Sequence, residues 1–289
     1  MNSHLKGLII TALGVLFVVP DSLFVRLIEA DPMVTAFWRS MISGLIILLA
    51  ILTFQGLNGF SAIVRTGWAG VIYGLLIGTT APGFVMAITH TSVANAVFIF
   101  ATTPIFAAIF SQIFLGEPIH RRMVLTILAV LVGLGIIAHG SGSSEISSWV
   151  GDLWALYVSI AFAAALTAVR KAKETPMIPV IPIAYIGAAV VIWLFTSPLP
   201  AFETQWSLFL GHGAFIAVAT CLLTLGPRYI SSAEVSLLIL LESVLAPILV
   251  WAVIGEDPGP WALLGGAVVI GALLVSNLSA LWLPRSDRS

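Results

Sequence analysis

Residues 25–33, Val25-Arg26-Leu27-Ile28-Glu29-Ala30-Asp31-Pro32-Met33, return in outline at 169–177 as Val169-Arg170-Lys171-Ala172-Lys173-Glu174-Thr175-Pro176-Met177. The valine, arginine, proline and methionine keep their places, and Gly7 and Gly151 stand in the same register, every pair 144 positions apart. Farther along, Phe114-Leu115-Gly116-Glu117-Pro118 matches Val253-Ile254-Gly255-Glu256-Asp257 at a shift of 139. Two copies of one design lie end to end. A Gly/Ser-rich stretch from Gly140 to Ser148 falls where the first copy would stop. The expected division is a first repeat over 1–139, a connector over 140–150 and a second repeat over 151–289, the two repeats forming one domain.

Composition says where such a chain resides. Only 9% of its residues are charged and 60% are hydrophobic, with a mean hydropathy of +1.11, far outside the range of a water-soluble domain. The expected partner is the lipid bilayer. A net charge of -1 leaves no basic surface to neutralise phosphates, so nucleic acid is excluded as a partner. Cys221 is the single cysteine and can form no internal disulfide. The N-terminal residues run straight into an apolar stretch too long for a cleaved signal peptide and without a small-residue cleavage site, so a retained first span is expected.

A helix needs about 20 apolar residues to cross the hydrocarbon core. Division at charges, prolines and glycines predicts spans at 5–28, 33–54, 67–89, 92–115 and 123–139, then at 151–169, 178–197, 206–226, 231–254 and 260–283. With both termini in the cytoplasm, the cytoplasmic segments then carry Lys6, Arg65, Arg121, Arg122, Arg170, Lys171, Lys173, Arg228, Arg285 and Arg288. Only Arg26 falls outside, and Arg39 lies within span two, so ten of the twelve basic residues obey the positive-inside rule. Because five spans per repeat is an odd number, the second repeat enters the membrane upside down, which is a transporter signature. The expected fold class is an all-α polytopic membrane protein with ten transmembrane helices in two inverted five-helix repeats, both termini cytoplasmic.

Local motifs point the same way. Pro32 precedes Ala36-Phe37-Trp38-Arg39 in span two; Ser92-Val93-Ala94-Asn95-Ala96 and Thr103-Pro104 occupy span four, and Gly116-Glu117-Pro118 follows. The second copy is looser: Ser231-Ser232-Ala233-Glu234-Val235-Ser236, Pro247 and Gly255-Glu256, with Asp257 where a proline is expected. In order and spacing the chain resembles the EamA branch of the drug/metabolite transporter superfamily, and within it the YddG-type exporters of aromatic amino acids and related metabolites. The resemblance implies a basket of helices around a central cavity lined by both halves and exposed alternately to the two sides. It implies a small-molecule substrate, no cofactor and no metal. The expectation is a monomeric multi-pass carrier in a bacterial cytoplasmic (inner) membrane that exports amino acids with aromatic or other hydrophobic side chains. Multidrug efflux and nucleotide-sugar transport are alternatives within the superfamily.

Ionisable groups at membrane depth cost about 3 kcal/mol each, so those present need a reason. Asp21 and Arg39 fall at similar depth near the outer end and can pair, either as a structural tie or as part of a gate or substrate site; His212, between Gly211 and Gly213, joins them at that depth. Glu242 lies eleven residues past Ser231, about 16 Å along a helix, near the midplane. A carboxylate there can bind an ammonium, take up a proton or bond a neighbouring helix. Glu234 and its counterpart Asn95, at a shift of 139, are cavity or gate candidates, with an interfacial position as the other reading of Glu234.

Helix breakers and aromatics complete the candidates. Pro20, Pro82, Pro104 and Pro247 free backbone carbonyls at membrane depth, which is tolerated where protein or a cavity satisfies them. Gly70, Gly74 and Gly78 make a small-residue stripe suited to close helix packing. Trp68, Trp149, Trp206, Trp261 and Trp282 sit where interfacial anchors belong, whereas Trp38, Tyr73 and Tyr157 lie deeper and are cavity candidates. An intramembrane enzyme would need paired His or acidic groups on facing helices, and neither an HExxH pair nor a Gly-x-Ser-x-Gly elbow occurs, so no enzymatic activity is expected. A channel would need a continuous polar lining, which these spans do not supply.

Overall fold

The computed structural model describes residues 3–90, 99–100, 102–140, 149–255 and 259–282, and every regular element among them is a helix. The first half comprises α1 (Ser3–Val18), α2 (Pro20–Leu27), α3 (Pro32–Gln55), α4 (Ser61–His90), α5 (Thr103–Leu115) and α6 (Arg121–Gly140). The second comprises α7 (Trp149–Lys171), α8 (Val180–Trp193), α9 (Leu199–Leu225), α10 (Ser232–Ile239), α11 (Leu241–Ile254) and α12 (Gly259–Trp282). Asn95 and residues 141–148 of the expected connector lie outside the described residues.

Local chemistry sets the boundaries. Pro20 has no N–H to give Leu16, so the first apolar stretch breaks there into α1 and α2. Asp31 caps α3 by accepting from the Met33 amide at 2.8 Å, with Pro32 in the first turn. Pro104 leaves the Phe100 carbonyl without its amide partner, and the Thr103 hydroxyl donates to that carbonyl at 2.6 Å instead. Pro82, in contrast, sits inside a continuous α4, and α11 runs on through Pro247. The sequence echo at the end of each repeat has a conformational cause. Gly116 and Gly255 both adopt the left-handed conformation, φ 67° and 79°, that ends α5 and α11.

Two of the expected spans are present but interrupted once each, the first of them at the expected helix breaker Pro20. The stretch 5–28 splits at Val19 because of Pro20, and 231–254 divides at Leu240, whose amide bonds back three residues to Leu237 rather than four. The expected start of the third span at 67 coincides with a break: α4 consists of a short helical piece from Ser61 and a long one, which meet at the non-helical Gly67, φ 54°.

Among the described residues, five helical stretches are long and apolar enough to cross a bilayer: Ser3–Leu27, Pro32–Ala87, Trp149–Lys171, Leu199–Arg228 and Ser232–Ile254. Leu49, Leu75, Val132 and Leu194 are exposed on the outer surface, a placement that costs little against lipid tails and much against water. Trp68, Trp149, Trp206 and Trp261 are exposed as well.

The halves interlock rather than forming separate lobes. α4 packs on α7 as α9 packs on α1, and α3 packs on α9 as α4 packs on α8. α3 meets its own counterpart α8, α5 meets α10, and α6 meets α12. Exchanging α1 with α7, α3 with α8, α4 with α9 and α6 with α12 therefore maps these pairings, the α5–α10 contact aside, onto themselves. Small residues permit the approach. A Cβ at Gly78 would stand 3.0 Å from the Ala184 carbonyl oxygen of α8. A Cβ at Gly213 of α9 would drive into the Ile42 side chain of α3, where the Ser43 hydroxyl lies 2.9 Å from the Gly213 carbonyl. Gly213→Val is expected to cost about 2–3 kcal/mol by overpacking, read as a lower apparent Tm in detergent.

Candidate functional site

The interlocked halves enclose a cavity of about 520 Å³ whose wall is drawn from α1 through α5 and from α7 through α11. Three apolar stretches contribute one face each. On α4, Tyr73, Ile77, Thr80, Ala81 and Phe84 recur at helical spacing and all line the space. On α7 the lining side is Val158, Phe162, Ala165 and Val169, and on α9 it is Ile216, Thr220 and Thr224.

The polar groups on this wall fall into three sets. In the first, Pro20 starts α2 so that Asp21 turns inward, where its carboxylate accepts from the Arg39 guanidinium at 3.2 Å (Nε) and 2.7 Å (Nη2). His212 Nε2 bonds the same carboxylate, Phe24 stacks on the imidazole at 5.3 Å, and His212 Nδ1 has no hydrogen-bond partner among the described residues. Asp21 and His212 are fully buried. The second set consists of two phenols from opposite halves, both held by α9. Tyr73 bonds Thr224 at 2.7 Å and Tyr185 bonds Thr220 at 2.9 Å. The third is Glu242, in the first turn of α11, whose carboxylate faces the cavity without a hydrogen-bond or ion-pair partner among the described residues.

The other candidates lie elsewhere. Trp38 neighbours Arg39 in sequence but points away from the cavity, donating to the Pro198 carbonyl at 2.8 Å and stacking on Phe202 at 4.1 Å. Tyr157 donates to Thr79 at the partly exposed face between α7 and α4. Glu234 is not on the cavity wall. It closes a capping box with Ser231 at the start of α10 and takes bonds from Arg122 at 3.1 Å and His4 at 3.2 Å. This ties α1, α6 and α10 together.

Sequence reasoning did not single out Tyr185 as a cavity residue, and it missed a further ionic tie, in which Arg170 of α7 reaches Glu117 at 2.7 Å and the Pro227 carbonyl at 3.1 Å. That tie joins three elements at the cavity end where Val169 is completely buried. Its repeat-related residue, Arg26, is exposed and lies on the cavity wall. The two copies of one motif thus occupy different environments. Among the described residues, no group of His, Cys, Asp and Glu is arranged to hold a metal ion.

A crystal structure of a protein superposes on the chain with a TM-score of 0.80 at 18% sequence identity, covering 97% of this chain and 99% of its own. Likeness at that identity speaks for the fold alone. No curated protein matches the sequence. The EamA-like transporter family profile matches twice, over residues 5–138 and again over 149–278. With both halves of an interlocked, apolar helical bundle accounted for in this way, the chain belongs to the EamA-like transporter family, a family of membrane transporters rather than enzymes, and is a multi-pass membrane protein.

Proposed function

We propose that this protein is a monomeric secondary carrier that exports small organic metabolites from a bacterial cytoplasm by alternating access, with amino acids bearing aromatic or other hydrophobic side chains as its substrates. The observation that carries the reading is the central cavity, walled by both repeats and large enough for a small metabolite. In this reading ten spans cross the inner membrane, the second five inverted relative to the first, and rocking of the halves exposes the cavity to each side in turn. The Lys/Arg bias supports cytoplasmic termini. The unequal burial of the repeat-related Val25 and Val169, both on the wall, supports a cavity open at the outer end, since Val169 is completely buried and Val25 only partly.

Nucleotide sugars fit this cavity less well than amino acids. A diphosphate needs free cations, and Arg39 is already paired with Asp21. Purified protein in liposomes is expected to give saturable flux of labelled amino acids, with counterflow when unlabelled substrate is placed on the opposite side. Flux that never saturates would point to a channel. If no amino acid, drug or nucleotide sugar crosses faster than in empty vesicles, the carrier reading is wrong.

A further inference from the structure

Hydrogen-bond donors and acceptors on the cavity wall are unequally supplied. The Thr80 hydroxyl spends its proton on the Ile77 carbonyl at 2.8 Å, Thr103 on Phe100 at 2.6 Å and Ser236 on Ala233 at 2.9 Å. Thr224 donates to the Thr220 carbonyl at 2.6 Å, so the bond between Thr224 and Tyr73 at 2.7 Å must use the phenol's proton. Each of these hydroxyls is left with lone pairs and no hydrogen to offer, whereas the Tyr185–Thr220 pair, two hydroxyls sharing one bond, keeps a single hydrogen between them. The cations are also committed. Arg39 is neutralised by Asp21, and Arg26, exposed at the end of α2, is not free either. What remains is the Glu242 carboxylate, which has no hydrogen-bond or ion-pair partner among the described residues, the charges of Arg39 and Asp21 acting on it from a distance in opposite senses. A wall rich in acceptors around one unpaired carboxylate complements a donor-rich cation and repels an anion.

We infer that the cavity recognises its substrate by a protonated amine held at Glu242, and that a substrate carboxylate contributes little to binding. The ammonium's three N–H groups meet the carboxylate and neighbouring hydroxyl lone pairs. The apolar part rests against the phenyl groups of Phe84, Phe100 and Phe162, the first two stacked at 5.5 Å. The substrate class is therefore wider than amino acids and includes aromatic amines with no carboxyl group. This inference rests on the cavity's being the substrate site of a carrier.

The test holds the aromatic body constant and changes the charged end: 2-phenylethylamine, phenylalanine and 3-phenylpropionate, with binding to detergent-solubilised protein measured by calorimetry and flux measured separately in liposomes. The amine is expected to bind at least ten-fold more tightly than the acid and no more weakly than phenylalanine. Glu242→Gln is expected to weaken amine binding at least ten-fold, and Glu242→Asp, which keeps a carboxylate, to restore part of it. Equal or tighter binding of 3-phenylpropionate, no binding of any of the three, or amine binding unchanged in the Gln variant would each overturn the inference. Because binding to native protein is measured apart from flux, amine-selective binding without transport would sink the carrier reading alone, and transport of anions would sink the amine rule alone.

Discussion

Asp21→Ala is expected to cost about 3–5 kcal/mol of stability, because it leaves the Arg39 guanidinium buried without its counter-charge. The loss should appear as a fall in apparent Tm on the order of 10 °C in detergent. Asp21 serves both Arg39 and His212, so three elements, α2, α3 and α9, lose their common partner at once. The penalty belongs to the unpaired charge more than to the lost bonds. Removing both charges in Asp21→Leu with Arg39→Met should therefore recover most of the stability, since a buried ion pair contributes little net against apolar residues of similar size. The two substitutions should be coupled by about 2 kcal/mol or more. A single variant as stable as the native protein, or a double variant no better than the single, would remove the triad from the structural framework. Recovery of stability without recovery of transport would assign the triad a part in the transport cycle as well.

How much of this was legible in the sequence depended on the kind of signal. Gly116 and Gly255 could be matched because each ends its helix in a left-handed turn that strongly favours glycine, so the backbone itself imposes the repeat. Asp21 and Arg39 could be paired because two opposite charges at equal depth in lipid have few other partners. His212 could be placed at the same depth, but its bond to Asp21 depends on the orientation of α9, a tertiary fact with no trace in local sequence. Trp38 and Glu234 misled for identifiable reasons. Successive helical residues point about 100° apart, so Trp38 does not share Arg39's direction. Ser231-Ser232-Ala233-Glu234 carries the Ser-x-x-Glu pattern of a capping box, and that local signal outweighs the symmetry with Asn95. Which face of α4, α7 or α9 meets the cavity could not be read at all, because helices that are apolar all round show no contrast between lumen, lipid and neighbour.

Val25 and Val169 hold the same place in their repeats and both line the cavity, yet Val169 is completely buried and Val25 only partly. If the halves exchange roles during transport, this inequality should reverse. In a Cys221→Ser background, Val25→Cys is expected to react with a charged, membrane-impermeant maleimide applied from outside at least ten times faster than Val169→Cys applied from either side. Glu117→Gln takes from Arg170 its charged partner and leaves only the Pro227 carbonyl to hold that end closed. A partly exposed pair of this kind contributes on the order of 1 kcal/mol, enough to shift a two-state population about five-fold. The added substitution should therefore slow labelling at Val25→Cys and make Val169→Cys reactive from the cytoplasmic side in inverted vesicles. Both positions moving in the same direction would mean that the variant loosens the bundle rather than tipping it. No change at either would mean that Arg170 and Glu117 tie helices together without governing access.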